Sequence, residues 1–210
     1  MDLNSNLSNF SNKPQQFPII SDGIVKKEFQ PKFLEEDSTI EPYKFNELSK
    51  KQLDSRSFFS CGNSGIDLFL SHGDGLQFNL DRKKMVSFLM ANPEKVVSYL
   101  AASFKDVSFA IPDFLSKRLK EITGFSAGDK VFVIHYLAVD ENYQNQGLGF
   151  AMVNKALELC RARASIDPSL KMIILHSTQQ SCGFYERLGF KKIGKVENSD
   201  LIEYAYALTE

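Results

Sequence analysis

The residues from 131 to 164 restrict the fold more than any others. Val131–Val139 is apolar on both faces apart from His135, which is the pattern of a strand in the middle of a sheet. An amphipathic helix is predicted over Leu148–Ala164, where Met152, Val153, Ala156, Leu157 and Cys160 recur at helical spacing. The short loop between them carries Gly147 and Gly149. A helix N-terminus holds unpaired main-chain N–H groups and a partial positive charge, and glycine lets an anion come close to the backbone. The pattern therefore suits a pyrophosphate held by amides rather than by basic side chains. The third glycine of a dinucleotide fingerprint and the Gly-Lys-Ser/Thr of a P-loop are both missing. Taken alone, Gly-x-Gly also fits an ordinary strand–helix turn.

The remaining chain reads as an alternation of strands and helices. Asn63 or Ser64 can cap a helix whose apolar face is Ile66, Phe69 and Leu70, interrupted at Gly73 and Gly75. Met85–Ala91 and Val96–Phe104 form a hairpin through Asn92-Pro93-Glu94. Lys171–Leu175 is a second buried strand, Ser181–Leu188 a short helix ended by Gly189, and Phe190–Val196 and Leu201–Leu208 are closing strands. Ile24–Phe33 reads as a first strand and Pro112–Thr123 as a helix, whereas Asp37–Ser60 resists assignment. Residues 1–23 are expected to form a flexible polar tail, because few side chains there could offset ordering entropy.

Composition narrows the function. The formal net charge is −1, so the strongly basic balance of a typical nucleic-acid binder is missing. Cys61, Cys160 and Cys182 show no metal-ligand spacing and read as free thiols in a reducing compartment. No apolar run reaches the ~20 residues that span a bilayer, and no secretory leader is read at the start. A cytoplasmic protein with no metal and no membrane contact is expected.

Two motifs carry a family resemblance. Gln144-Asn145-Gln146-Gly147-Leu148-Gly149 resembles the acetyl-CoA signature of the GNAT N-acetyltransferase superfamily, Arg/Gln-x-x-Gly-x-Gly/Ala, and Leu137-Ala138-Val139-Asp140 resembles the strand before it. Phe184-Tyr185-Glu186-Arg187-Leu188-Gly189-Phe190 resembles the second hallmark, in the right order and at the right distance. The resemblance implies an α/β (α+β) fold over residues 24–210: a mixed, twisted central sheet, flanked by helices and splayed between its fourth and fifth strands. It also implies acetyl-CoA as co-substrate. The pantetheine arm would pair with the main chain of Leu137 to Val139, Ala138 lying between them. The loop Gln144, Asn145, Gln146, Gly147, Leu148 and Gly149 would hold the pyrophosphate, with Phe184 beneath the cofactor. Tyr185 would serve as general acid to the departing thiolate, and His135, His176 or water as base. Thr178 and Ser181 stand where many members have Asn and Ala.

The acceptor stays open among three readings. The first is a small-molecule or protein amine. The second comes from Phe59-Ser60-Cys61-Gly62 followed by Asp67-Leu68-Phe69-Leu70, which resembles a helix of the GNAT toxins of toxin–antitoxin pairs. That resemblance implies an aminoacyl-tRNA acceptor and an antitoxin partner. Basic runs at Lys50/Lys51, Arg82/Lys83/Lys84, Lys117/Arg118/Lys120 and Lys191/Lys192/Lys195 could serve such a substrate. The third is a GNAT domain that binds coenzyme A or a protein without catalysis. Sheet edges in this fold also allow a homodimer.

Overall fold

The computed structural model describes residues 40–107, 126 and 128–208. The tail expected over residues 1–23, the strand at Ile24–Phe33 and the helix at Pro112–Thr123 lie outside the described residues, as does most of the 105–130 insertion. Strand β1 (Glu41–Tyr43) precedes three short helices, α1 (Lys50–Ser55), α2 (Ser64–Ser71) and α3 (Leu76–Asp81). Then come β2 (Val86–Ala91), β3 (Val96–Asp106), β4 (Lys130–Val139), α4 (Leu148–Ala164), β5 (Leu170–Ser177), α5 (Cys182–Arg187), β6 (Lys191–Lys195) and β7 (Ile202–Ala207). The sheet runs β1-β2-β3-β4-β5-β7-β6. Among the described strands only β4 and β5 pair in parallel, as their connection through α4 requires.

Local chemistry accounts for the element ends. Asn92 closes the β2–β3 hairpin, its Oδ1 accepting the amides of Glu94 and Lys95 at 2.9 and 2.8 Å. The Asn63 side chain caps α2 by accepting the amides of Gly65 and Ile66. Ser49 and Gln52 form a reciprocal capping box on α1, a signal within the polar stretch that sequence periodicity leaves unassigned.

Helices α4 and α5 cover one face of the sheet, where Met152, Val153, Ala156, Leu157 and Cys160 pack on Phe132, Ile134, Ile173, Leu175 and Tyr204. The opposite face carries two separate apolar clusters. One joins the first helices to Leu89, Tyr99, Ala101 and Ala138. The other holds Val131, Val133, Met172, Ile174, Ile193 and Ala205. Leu157 is buried at the centre of α4. Leu157→Ala is expected to cost about 2–5 kcal/mol, read as a lower urea midpoint at unchanged m-value.

The feature that matters for function is a split in the sheet. Pairing of β4 with β5 runs from Lys130↔Leu170 to Ile134↔Leu175 and stops, although β4 continues to Val139 and β5 to Ser177. Beyond that point β4 stays with β3, as Leu137↔Leu100 and Val139↔Ser98 show. The end of β5 stays with β7 through His176↔Glu203 and Ser177↔Ile202. The register gives a cause. Ile134 faces Ala102 and Tyr136 faces Ala101, so His135 is the extra residue of a β-bulge. A bulge bends and twists its strand, and this one sits where β4 leaves β5.

Candidate functional site

Alternate residues of a strand direct their main-chain groups to opposite sides. The Asp140 amide donates to the Val97 carbonyl on the β3 side. Leu137 and Val139 therefore turn their N–H and C=O groups toward the side that β5 has left. Ala138 between them pairs with Tyr99 and is buried.

The loop after β4 is braced from several directions. Asp140 is buried, accepts the Asn142 amide at 3.1 Å and pairs with Lys95 Nζ at 3.1 Å. The Glu141 amide donates to the Ser60 carbonyl, and the Glu141 carboxylate accepts from the Ser60 hydroxyl. Gln144 donates its side-chain amide to the carbonyls of Cys61 and Val139, at 3.1 and 3.0 Å. Gln144 is thus a tie that fixes the loop, a role that sequence alone did not show. The Gln146 side chain likewise donates back to the Asn142 carbonyl. Asn145 and Gly147 both have left-handed φ, +61° and +92°.

Gly147 is the N-cap of α4 and provides no side-chain cap, so the first amides of the helix are left without a side-chain acceptor there. Leu148 anchors the helix start by packing with Ile40 and Val97. Gly149 differs from Gly147. A Cβ on it would lie 3.4 Å from Phe184 Cζ and 3.8 Å from Val139 Cγ2, so the Phe184 ring sits directly against this position. The two sequence motifs meet at this contact, below the open end of β4.

The Tyr185 ring stands edge-on to Phe184 at 4.9 Å and to Phe190 at 5.9 Å. Burial pushes its phenol up to about 12, so it keeps its proton across the neutral range. Cys182 Sγ lies 3.4 Å from the Thr178 carbonyl, the geometry of a packed thiol. The segment Phe59–Leu70 packs against the loop: Asp67 accepts the Cys61 amide, Gly62 takes a φ of +86°, and the Tyr99 hydroxyl donates to the Ile66 carbonyl.

The first residues past the last β4–β5 pair are His135 and His176. His135 Nε2 lies 2.7 Å from Ser103 Oγ. Burial, then the Lys105 charge and His176, lower its pKa from an ordinary 6.5 to about 4. Between these values the unfolded chain binds the proton and the folded one does not, so stability falls as pH drops through that window. The urea midpoint is expected to decline from pH 7 to 4.5, and to decline less in His135→Asn. Equal declines would deny His135 that role. His176 lies beside Glu203, a fully buried carboxylate that sequence reading missed because the pairing of β5 with β7 is not visible locally.

No helix among the described residues is long and apolar enough to cross a membrane. Solved structures share the fold. AtaTR bound with acetyl-CoA has a TM-score of 0.62 at 19% identity, covering 81% of this chain and 95% of that one. A variant of the AtaT toxin with the C-terminus of the antitoxin AtaR and acetyl-CoA gives 0.60 at 16%, covering 81% and 94%. AtaT with acetyl-methionyl-tRNAfMet gives 0.59 at 17%, covering 78% and 93%. The sequence itself matches the Acetyltransferase (GNAT) family over residues 53–190, both hallmark segments included, and the chain belongs to that family.

Proposed function

We propose that the chain transfers the acetyl group of acetyl-CoA to a primary amine by direct attack of the neutral amine on the thioester. The observation that carries this reading is the early end of β4–β5 pairing beside a helix start that has no side-chain cap. Acetyl-CoA suits those residues. Its pantetheine amides would pair with Leu137 and Val139 as an added strand does. Its diphosphate would meet the amides of Gln146, Gly147, Leu148 and Gly149, with Gln144 and Asn145 shaping the loop. Phe184 would pack beneath it, and Tyr185 would donate its proton toward the departing sulfur.

A second reading takes aminoacyl-tRNA as acceptor, under control of an antitoxin. Toxin structures of this fold support it, one of them holding acetyl-methionyl-tRNAfMet. So does the docking of Phe59–Leu70 on the loop. Arg82, Lys83 and Lys84 are exposed at the end of α3 and could meet phosphates. Lys51 and Lys195 instead pair with Glu94 and Asp200. Lys117, Arg118 and Lys120 lie outside the described residues. A homodimer formed through the sheet edges would be compatible with either reading.

Calorimetric titration with acetyl-CoA, followed by thiol release with small amines and with charged tRNA, tests both readings. Release stimulated about tenfold or more by charged over uncharged tRNA supports the toxin reading. Release with small amines supports the broader one. Binding without release on any amine would leave a non-catalytic coenzyme A domain and contradict both.

A further inference from the structure

The face of the sheet opposite α4 and α5 is apolar in two blocks that do not merge. Between the blocks lies a polar strip. His176 shares its side of β5 with Met172 and Ile174, and Glu203 shares its side of β7 with Ala205. His135 comes from the bulge in β4, and Ser103 from β3. Phe184 and Tyr185 belong to the other face, with α4 and α5. A thioester held in the split would therefore have Tyr185 on one side and this strip on the other.

Glu203 is 0% exposed and its Oε1 lies 3.6 Å from His176 Nε2, its direct cross-strand neighbour. A buried carboxylate needs partners that compensate it, and His176 is one of them. The two histidines at the split are not equivalent. His135 faces Lys105, whose charge opposes protonation, and is engaged with Ser103. His176 faces Glu203, its Nε2 directed at the carboxylate rather than at a cation.

We infer that His176 is the base that takes the proton from the attacking amine, and that Glu203 is a positioning residue that orients its ring and balances the imidazolium charge. The inference rests on the acetyl-transfer reading above. The amine lone pair forms the C–N bond as the carbonyl π pair moves to oxygen. The proton lost by nitrogen goes to the His176 ring. Return of the oxygen pair breaks the C–S bond, and the sulfur leaves with that pair as a thiolate that accepts a hydrogen bond from the Tyr185 hydroxyl. Water then carries the proton from His176 to that sulfur, so the enzyme is unchanged. Among the described residues, the charged and titratable groups around the reacting ring include Glu203 on β7 and His135 on β4, with Lys105 on β3 behind His135.

The test uses the full chain with acetyl-CoA and two probes that present a free α-amine, phenylalaninamide and bulk aminoacylated tRNA. Glu203→Gln is expected to lower kcat about tenfold to a hundredfold and to move the acidic limb of kcat/KM down by about one pH unit, with the acetyl-CoA Kd unchanged. The chain has three histidines, so the ring signal of His176 can be followed by NMR beside those of His72 and His135. Its midpoint should fall in step with the kinetic limb. His135→Asn should leave that limb in place. If Glu203→Gln fails to fold, His176→Asn must abolish the limb instead. A limb that survives in His176→Asn, or that neither moves in Glu203→Gln nor follows the His176 signal, overturns the inference while leaving acetyl transfer intact. A wild-type protein that binds acetyl-CoA but turns over neither probe nor any small amine overturns the acetyl-transfer reading and this inference with it.

Discussion

Gly147→Val is expected to weaken acetyl-CoA binding by roughly 10²- to 10⁴-fold while the protein stays folded. Gly147 has a φ of +92° at the N-cap of α4. A β-branched residue at that angle is strained by about 1–3 kcal/mol and relieves the strain by moving the loop. Relaxation displaces the amides that start the helix. Each hydrogen bond from a main-chain N–H to a charged phosphate is worth about 1.5–3 kcal/mol, so losing two gives the range stated. Gly149→Ala is the matched control. Its Cβ would meet Phe184 at 3.4 Å, an ordinary contact, and its φ is not in the left-handed region. Calorimetry should find the Gly149→Ala affinity within about threefold of wild type. No loss in Gly147→Val would remove the loop from the site, and equal losses in both variants would deny the backbone angle at Gly147 its part.

Tyr185→Phe is expected to lower kcat by about 10²- to 10³-fold with little change in Kd for acetyl-CoA or in melting temperature. The ring contacts to Phe184, Phe190 and Tyr204 would all remain, so stability isolates the hydroxyl. A phenol pushed up to about 12 by burial holds its proton at any neutral pH. A thiolate with an ordinary pKa near 8.5 is the weaker base, so in the proposed reaction Tyr185 would stabilise the departing sulfur chiefly by donating a hydrogen bond. The kcat profile should therefore show no alkaline limb from Tyr185 below about pH 11. A kcat within about threefold of wild type would make Tyr185 a packing residue beside Phe184.

How much of this was legible in the sequence depended on whether the signal was local. Helix α4 appears at Leu148–Ala164 as its periodicity predicts, and β4 begins one residue earlier than its apolar run, at Lys130. The hairpin at Asn92 and the cap at Asn63 were visible because side chain and turn lie within a few residues. The short helix near Gly189 was legible in outline, but its first turn is 3-10 helix from Gln179 to Ser181. Strand β1 is only three residues long, too short for an alternation to show. The bulge at His135 depends on register with β3, which no local pattern encodes. Glu203 reads as one polar residue in a closing strand until β7 is paired with β5. Gln144 matched a signature position, yet its bond to Cys61 depends on a segment some eighty residues earlier. The glycine pair looked alike in sequence, whereas the backbone angle calls for glycine at 147 and not at 149.

Amide chemical shifts recorded during an acetyl-CoA titration test the central claim most directly. Binding across the split predicts saturable shifts at Leu137 and Val139 together with Gln146 to Gly149, and smaller ones on the β6–β7 edge. Saturable binding that leaves those amides unmoved would contradict the account.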